Sequence, residues 1–210
     1  FSEEKQKKIL TTHITFIGMG GVNIPAAIYL LSAGIKNISI IDYDKVSYSN
    51  LNRQNIFSKK DIGKYKIQCA ESYFKKQYSK INVTSYKNKI NKKNCNKLLK
   101  NTDIVIDGSD NWETMLCIND YCSKNNLPLA SASVTGFDGN LIFFENSKQN
   151  KHLCLRCIFP IEKQVELPRC ETVGILGTSA GIIGVLSAHK IIRYLVFGFD
   201  SKNDSNIFYF

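Results

Sequence analysis

The sequence predicts an α/β fold in which a Rossmann-like, mostly parallel sheet carries helices on both faces and antiparallel strands at one edge. Three observations support this prediction. Short apolar runs that suit buried strands alternate with longer helical patterns. The first apolar run passes through a glycine-rich turn directly into a helical pattern. A later stretch, residues 136–145, alternates apolar and polar residues as an antiparallel hairpin does.

The elements are predicted in the following order. Strands are expected over residues 14–17, 37–42, 82–86, 103–107, 128–134 and 206–210. Helices are expected over residues 2–10, 22–33, 64–78, 112–124 and 174–197. Within the hairpin stretch, Asp138 and Gly139 are the expected turn. Residues 146–169 are predicted to be irregular.

The length and the net charge of the chain indicate how many domains it has and which partners it could bind. The chain has 210 residues, of which 43% are hydrophobic and 22% charged, so a single domain with an ordinary core is expected. A net charge of +10 suggests an anionic partner. However, the lysines are spread over the loops without interleaved aromatic residues, so we do not expect a nucleic acid as the partner.

The cellular compartment is predicted from what the sequence carries and lacks. The first ten residues are charged and polar, which is not the pattern of a secretory signal. The most apolar run, residues 173–188, is broken by Gly, Thr and Ser, so we expect a buried helix and no membrane span. Seven scattered cysteines favour a reducing compartment. We therefore expect a cytoplasmic protein, or a stromal one if the gene is plastid-encoded.

A glycine turn follows the first strand, and its sequence is Gly18-Met19-Gly20-Gly21-Val22-Asn23. Free backbone N–H groups and the helix dipole favour a phosphate at such a turn. The third glycine of a dinucleotide fingerprint is missing because Asn23 takes its place, and we expect this to alter the turn slightly. Asp42 ends the second strand about twenty residues later, where an acid commonly binds a ribose. A nucleoside with its phosphate is therefore predicted, and both NAD and ATP fit.

The residues beyond the second strand favour ATP. Asn50, Arg53 and Gln54 are expected to lie near the glycine turn, and Lys66 opens the next helix. Two cations beside a phosphate site suit a triphosphate, whose charge must be neutralised as pyrophosphate leaves. Asp110 follows the fourth strand and is placed to hold magnesium against those phosphates. A nicotinamide dehydrogenase is disfavoured because no His or Lys suited to a hydride-transfer site is apparent.

Six motifs occur along the chain in the order GMGGVN, IIDYDKVSYSNLNRQ, DIGKYK, DGSDN, CLRC and CETVGILGTSAGIIG. Together they closely resemble the ThiF/MoeB/HesA family, the bacterial relatives of ubiquitin-activating enzymes, over residues 14–198. Members of that family adenylate the C-terminal glycine of a small ubiquitin-like protein, using ATP and magnesium. The resemblance implies an adenylyltransferase that acts, as a homodimer, on a sulfur-carrier protein of thiamine, molybdopterin or tRNA thiolation.

The resemblance also implies a role for individual residues. Asp42 would hold the ribose, and Asn50, Arg53 and Lys66 the phosphates, while Asp110 matches a metal-associated aspartate. The implied ATP-binding residues are Gly18, Gly20, Gly21, Asp42, Asn50, Arg53, Gln54 and Lys66, and the implied catalytic residues are Arg53, Lys66 and Asp110. Because the nucleophile of this reaction is an ionised carboxylate, it needs no general base, and catalysis consists of alignment and charge neutralisation.

Three cysteines carry further expectations. Cys154 and Cys157 have the spacing of a zinc half-site. In the family a second Cys-x-x-Cys pair completes the zinc site, and this sequence reaches Phe210 without one, so a bound zinc is left with half its ligands. Cys170 stands where some relatives place a thiol that bonds to the carrier or acts in sulfur transfer. A small structural residue before a buried helix is an equally open interpretation of Cys170.

The expected organisation is a single adenylation domain over residues 1–210. Its Rossmann-like nucleotide-binding half covers about residues 10–135, and the hairpin, Cys-x-x-Cys loop and long buried helix cover about residues 136–210.

We expect truncation at both ends, since the chain begins with Phe1 and lacks the family's upstream R-x-x-R-Q segment. Two alternatives stay open: a relative that adenylates a carboxylate on modified tRNA, and a non-catalytic scaffold that binds a carrier protein.

Overall fold

The computed structural model describes residues 2–146, 153–160, 174–198 and 206–210. These residues form seven strands, seven α-helices and two short 3-10 helices, Tyr48–Asn50 and Lys59–Asp61. The strands are β1 His13–Ile17, β2 Asn37–Ile41, β3 Asn82–Tyr86, β4 Ile104–Asp107, β5 Leu129–Thr135, β6 Asp138–Phe144 and β7 Ile207–Tyr209. The helices are α1 Glu3–Thr11, α2 Asn23–Ser32, α3 Lys66–Gln77, α4 Cys95–Leu99, α5 Trp112–Asn125, α6 Leu155–Ile158 and α7 Gly177–Phe197.

All seven strands belong to one sheet in the order β3-β2-β1-β4-β5-β6-β7. The first five in this order run parallel, and β6 and β7 are antiparallel to their neighbours. The predicted strands and helices that correspond to these elements begin and end within three residues of the observed bounds. The prediction of a mostly parallel α/β sheet with antiparallel edge strands is confirmed.

The antiparallel hairpin differs from the one predicted. Its two strands are β5 and β6, and Thr135 lies opposite Asp138, so that Gly136 and Phe137 form the turn. Asp138 and Gly139 lie inside β6, and the prediction that they form the turn is wrong. The physical reason is the positive φ of 60° at Gly136, because a tight turn of this kind accepts glycine at its first central position.

Two apolar clusters cover the two faces of the sheet. The larger one packs α2, α3 and α7 against β1 and β2, with Phe16, Phe74 and Ile183 fully buried. The smaller one packs α4 and α5 against the other face, around Val105 and Ile118. The helices therefore lie on both faces, as predicted, and they leave the carboxyl ends of the parallel strands open at one edge.

Helix α7 has the length and composition of a membrane-spanning segment, with a mean hydropathy of 1.4 over its most apolar window. Half of that window is buried inside the protein, where Ile183, Ile191 and Leu195 join the larger apolar cluster. In the described part of the chain α7 is therefore placed as a core helix, which agrees with the sequence prediction of a long buried helix.

Candidate active site

A cavity of about 420 Å³ opens at the carboxyl ends of β1, β2, β4 and β5. Parallel α/β sheets bind their ligands at this edge, because the loops that follow the strands there lead into the N-termini of the helices. The cavity is lined by all nine residues assigned from the sequence to ATP or magnesium: Gly18, Gly20, Gly21, Asp42, Asn50, Arg53, Gln54, Lys66 and Asp110. The fold thus brings together residues that are far apart in the sequence.

The glycine turn forms one wall of the cavity and leads into α2. The backbone N–H groups of Gly20, Gly21 and Val22 have no acceptor among the described residues, so they are available to an anion. A Cβ atom on Gly21 would lie 3.1 Å from Cγ of Arg53 and 3.2 Å from Cβ of Ala180. Glycine at position 21 therefore allows the Arg53 side chain to lie directly over the turn.

Asp42 lies at the end of β2, with only 6% of its surface exposed. Its Oδ2 accepts the backbone N–H of Met19 at 2.7 Å, and its Oδ1 accepts that of Asp44 at 2.7 Å. Burial raises the pKa of Asp42, while the Lys66 charge and these two N–H groups act in the opposite direction. Each carboxylate oxygen keeps one free lone pair, so Asp42 can still accept hydrogen bonds from the hydroxyls of a sugar.

Lys66 is the first residue of α3, and its side chain is buried beside the cavity. Its Nζ lies 2.9 Å from Oδ2 of Asp44, whose side chain is half exposed. The ammonium group has three donors, so two remain for a phosphate after this ion pair has formed. Asp44 was given no role from the sequence, although it is the second acid of the motif IIDYDKVSYSNLNRQ.

Arg53 and Asn50 belong to the loop after β2. Oδ1 of Asn50 accepts the N–H of Ser47 at 3.0 Å, which fixes the loop. Nη1 of Arg53 donates to the carbonyl of Ser49 at 2.8 Å and to Oδ1 of Asn52 at 2.9 Å. In the described ranges no carboxylate pairs with this guanidinium, so Nε and Nη2 are left for an anion in the cavity.

Gln54 lies beneath the glycine turn and is 3% exposed. Its Nε2 is 4.0 Å from the position that a Cβ on Gly20 would occupy. Its Oε1 is buried and has no hydrogen-bond partner among the described residues. Gln54 therefore supports the turn by packing and presents an unsatisfied acceptor at the cavity wall.

The end of β4 contributes two acids with different surroundings. Asp107 is fully buried, its Oδ1 accepts the N–H of Ser109 at 2.9 Å, and burial raises its pKa to about 6. Asp110 is exposed at the cavity wall, and no described residue pairs with it. Only Asp110 was given a role from the sequence, although the motif DGSDN contains both acids.

Asp110 fits a magnesium site that is completed by a nucleotide. Magnesium bound to a nucleotide typically takes one or two carboxylates and fills its other positions with phosphate oxygens and water. Asp110 offers one such unpaired carboxylate beside the cavity. The described residues form no group of three or more potential metal ligands, so a metal held by protein side chains alone is not supported there.

Aromatic residues close the far end of the cavity. The rings of Trp112 and Phe159 meet edge to face, with centroids 5.9 Å apart. Leu155 is buried beside them and donates its N–H to Oδ1 of Asn119 at 2.8 Å, which attaches α6 to α5. These lining residues were missed from the sequence. Trp112 and Phe159 lie outside the six motifs, Leu155 lies between the two cysteines of CLRC, and the three meet only through the tertiary fold.

Cys154 is the N-cap of α6 and Cys157 lies within that helix, with their Sγ atoms 3.5 Å apart. Two thiolates on one tetrahedral zinc lie about 3.8 Å apart, so the pair has the spacing of a half-site. Burial acts to raise the pKa of Cys154, but hydrogen bonds from Cys157 and from neighbouring N–H groups outweigh it and lower that pKa. The described residues supply no third ligand, and Cys170 lies outside them, so zinc binding and a reactive Cys170 stay predictions.

Known proteins resemble this chain in sequence over nearly its whole length. The chain matches the ThiF family model over residues 1–209. It is 33% identical over 192 residues to the adenylyltransferase and sulfurtransferase MOCS3 of Culex quinquefasciatus, covering 91% of this chain and 43% of that protein. It is 31% identical over 191 residues to the probable molybdopterin-synthase adenylyltransferase of Gracilaria tenuistipitata var. liui, covering 91% of this chain and 53% of that protein.

The fold is also similar to that of a solved structure, E. coli MccB crystallised with ATP. The TM-score is 0.80 at 23% identity, over 93% of this chain and 60% of that one. The chain spans about half the length of the curated relatives it matches. With the family model covering nearly its whole length, the chain belongs to the ThiF family.

Proposed function

We propose that this protein uses ATP to adenylate the C-terminal glycine carboxylate of a small ubiquitin-like sulfur-carrier protein. The observation that carries the proposal is the convergence of the glycine turn with Asp42, Arg53, Lys66 and Asp110 on one cavity. Two relatives named as adenylyltransferases support the same class of reaction. The similarity to MccB crystallised with ATP supports a nucleotide site in this fold.

In this proposal the nucleotide lies along the edge of the sheet. Asp42 accepts the ribose hydroxyls with the lone pairs that Met19 and Asp44 leave free. The triphosphate takes the free N–H groups of the glycine turn and the positive end of the α2 dipole. Arg53 and Lys66 supply the positive charge that these phosphates require.

The reaction is an attack of a carboxylate oxygen on the α-phosphorus. A new O–P bond gives the acyl-adenylate, the bond to the bridging oxygen breaks, and pyrophosphate leaves with that electron pair. No proton moves in this step, so the reaction needs no general base. The residues of this chain therefore act by aligning the two reactants and by stabilising the charge that develops on the leaving phosphates.

We also propose that the protein binds magnesium and zinc and forms a homodimer. Asp110 would hold magnesium, which when bound neutralises phosphate charge. Cys154 and Cys157 would supply half the ligands of a structural zinc. The homodimer implied by the family resemblance, and the cytoplasmic or stromal location expected from the sequence, are proposed with them.

A matched pair of lysines on α3 tests the proposal. Lys66 and Lys75 each pair with a carboxylate, but only Lys66 lines the cavity. In the full-length protein supplied with carrier, ATP–pyrophosphate exchange should fall at least about a hundredfold in Lys66→Ala, by loss of charge stabilisation. Exchange in Lys75→Ala should stay close to that of the unchanged protein.

Three other outcomes would contradict parts of the proposal. Equal exchange in the two lysine variants would remove Lys66 from the active site. Exchange that requires a modified tRNA and no carrier protein would replace the carrier with RNA as the acceptor. Tight carrier binding by a full-length protein that neither binds ATP nor exchanges pyrophosphate would identify a scaffold.

A further inference from the structure

Asn23 stands where a dinucleotide-binding turn has its third glycine, and it is completely buried. Its Nδ2 donates to two backbone carbonyls, that of Ile17 at 2.9 Å and that of Gly18 at 2.6 Å. The first carbonyl ends β1 and the second belongs to the glycine turn. One side chain thus ties the turn to the central strand.

The same side chain also fills space beside β4. A Cβ atom on Gly108 would lie 2.9 Å from both Cγ and Nδ2 of Asn23, which is too close for any real side chain. A Cβ atom on Gly18 would lie 3.1 Å from the carbonyl oxygen of Gly108. Asn23 is therefore closely packed against three elements: the end of β1, the start of α2 and the end of β4.

Stability alone does not account for an asparagine here. Oδ1 of Asn23 is buried and has no partner among the described residues. An unsatisfied buried acceptor destabilises a fold, and a glycine at this position would avoid it. What the asparagine adds is the pair of bonds that hold the carbonyls of Ile17 and Gly18 at the sheet.

We propose that Asn23 is a positioning residue of the phosphate-binding turn. By fixing the carbonyl of Gly18 on the side of the sheet, it leaves the N–H groups of Gly20, Gly21 and Val22 directed to the nucleotide, and it requires glycine at position 108. The inference rests on the proposed function, since it takes the phosphate to be that of ATP. In this chain a side chain orders the turn that a third glycine would order by close packing.

Magnesium–ATP binding to the full-length protein, measured by titration calorimetry, tests the inference. Asn23→Ala should weaken the Kd for magnesium–ATP at least tenfold, because the turn loses both bonds to Nδ2. Asn146→Ala is the matched control: Asn146 is a buried asparagine whose Nδ2 donates to the carbonyl of Leu127 at 2.8 Å, away from the cavity. Asn146→Ala should lower the Tm and leave the Kd within twofold of the unchanged protein.

Gly108→Ala supplies a second, independent measurement. It should abolish magnesium–ATP binding in the native background, because the new methyl group collides with Asn23. In the Asn23→Ala background the space is free, so adding Gly108→Ala should weaken binding less than twofold further. This non-additivity is the mark of direct contact between the two positions.

The outcomes separate the inference from the function on which it rests. A full-length protein that binds no magnesium–ATP contradicts both. ATP binding that survives unchanged in Asn23→Ala, or a Gly108→Ala effect of equal size in the two backgrounds, overturns the inference alone. Should Asn23→Ala fail to fold, Asn23→Ser keeps a short donor and should bind with an intermediate Kd, whereas an unchanged Kd would again overturn it.

Discussion

β2 and β4 lie on either side of β1, and each has a buried aspartate at its carboxyl end. Asp42 directly follows β2, and Asp107 is the last residue of β4. Asp42, at the β2 end, has both carboxylate oxygens hydrogen-bonded to backbone N–H groups. The positive charge of Lys66 also stabilises its ionised form. Asp107, at the β4 end, has one bonded oxygen and one without a partner in the described chain. Burial raises the pKa of both, and that of Asp107 reaches about 6.

The difference shows that a strand-end acid takes its role from its partners. Near Asp42 the N–H groups and Lys66 favour the ionised form, so the buried carboxylate itself can bind a ligand. Near Asp107 the charged neighbour is another acid, Asp110, which disfavours ionisation. On that side the exposed Asp110, three residues later, is the group available to a ligand. Four predictions test this contrast between the two strand ends.

The largest effect is expected at Asp110. Because Asp110 is exposed at the cavity and has no described partner, Asp110→Ala should leave folding unchanged. ATP–pyrophosphate exchange should fall about 100- to 1,000-fold, roughly 3–4 kcal/mol of lost charge stabilisation. Asp138→Ala, at an exposed position outside the cavity, is the control. A loss of Tm in Asp110→Ala as large as its loss of activity would make Asp110 a structural residue.

A smaller effect, on stability, is expected from Asp42→Asn. The carboxylate accepts two backbone N–H groups, but an amide has only one acceptor oxygen, so either Met19 or Asp44 would face an NH₂ group. We expect a loss of about 2–3 kcal/mol in the free energy of unfolding. Urea denaturation at neutral pH measures it. If Asp42→Asn destabilises the protein no more than Asp107→Asn does, the two strand ends do not differ as described.

Much of the β2 side was predictable from the sequence, and less of the β4 side. Asp42 and Arg53 were predicted from the motif IIDYDKVSYSNLNRQ and Lys66 from the motif DIGKYK, and the fold brings all three to one cavity. The hairpin turn was misplaced because Asp138-Gly139 is a strong local signal, and the pairing of β5 with β6 overrides it. The contact between Trp112 and Phe159 joins residues far apart in sequence, and no local pattern predicts it.

The third prediction concerns the pH dependence of stability at Asp107. Its folded pKa, about 6, lies above the unfolded value of about 3.8, so the folded protein binds the proton more tightly. The stability that this group contributes is present below pH 4 and is lost as the pH rises through 6. Asp107→Asn removes this slope, so its unfolding free energy relative to the unchanged protein should rise by about 1–2 kcal/mol between pH 5 and pH 8.

Urea denaturation of both proteins at pH 5 and pH 8 gives this double difference. Contributions that do not depend on pH cancel, including any poor fit of the new amide. So does the opposite slope from His13, whose pKa is lowered by burial and whose titration is common to both proteins. A double difference near zero would mean that Asp107 is ionised as readily in the folded protein as in the unfolded chain.

The smallest effect is expected from the ion pair that joins α5, which begins at the β4 end, to α6. Arg156 donates to both oxygens of Asp120, at 2.7 and 2.8 Å, but both side chains are well exposed. A double-mutant cycle of Arg156→Ala and Asp120→Ala should give a coupling of only about 0.5–1 kcal/mol, because water screens the pair. The hydrogen bond from Arg156 lowers the pKa of Asp120, so this stability is present above the unfolded pKa and is lost as the pH falls through the folded one.

The coupling between Arg156 and Asp120 should also shrink in about 1 M salt, where the screening length is only a few ångström. The attachment of α6 should survive its loss, because Leu155 remains buried and bonded to Asn119. A coupling above about 2 kcal/mol that persists in salt would have the size expected of a buried pair. The cavity wall beyond β4 would then depend on paired charges, as the β2 side depends on Lys66 and Asp44, and the contrast between the two strand ends would be weaker than the structure indicates.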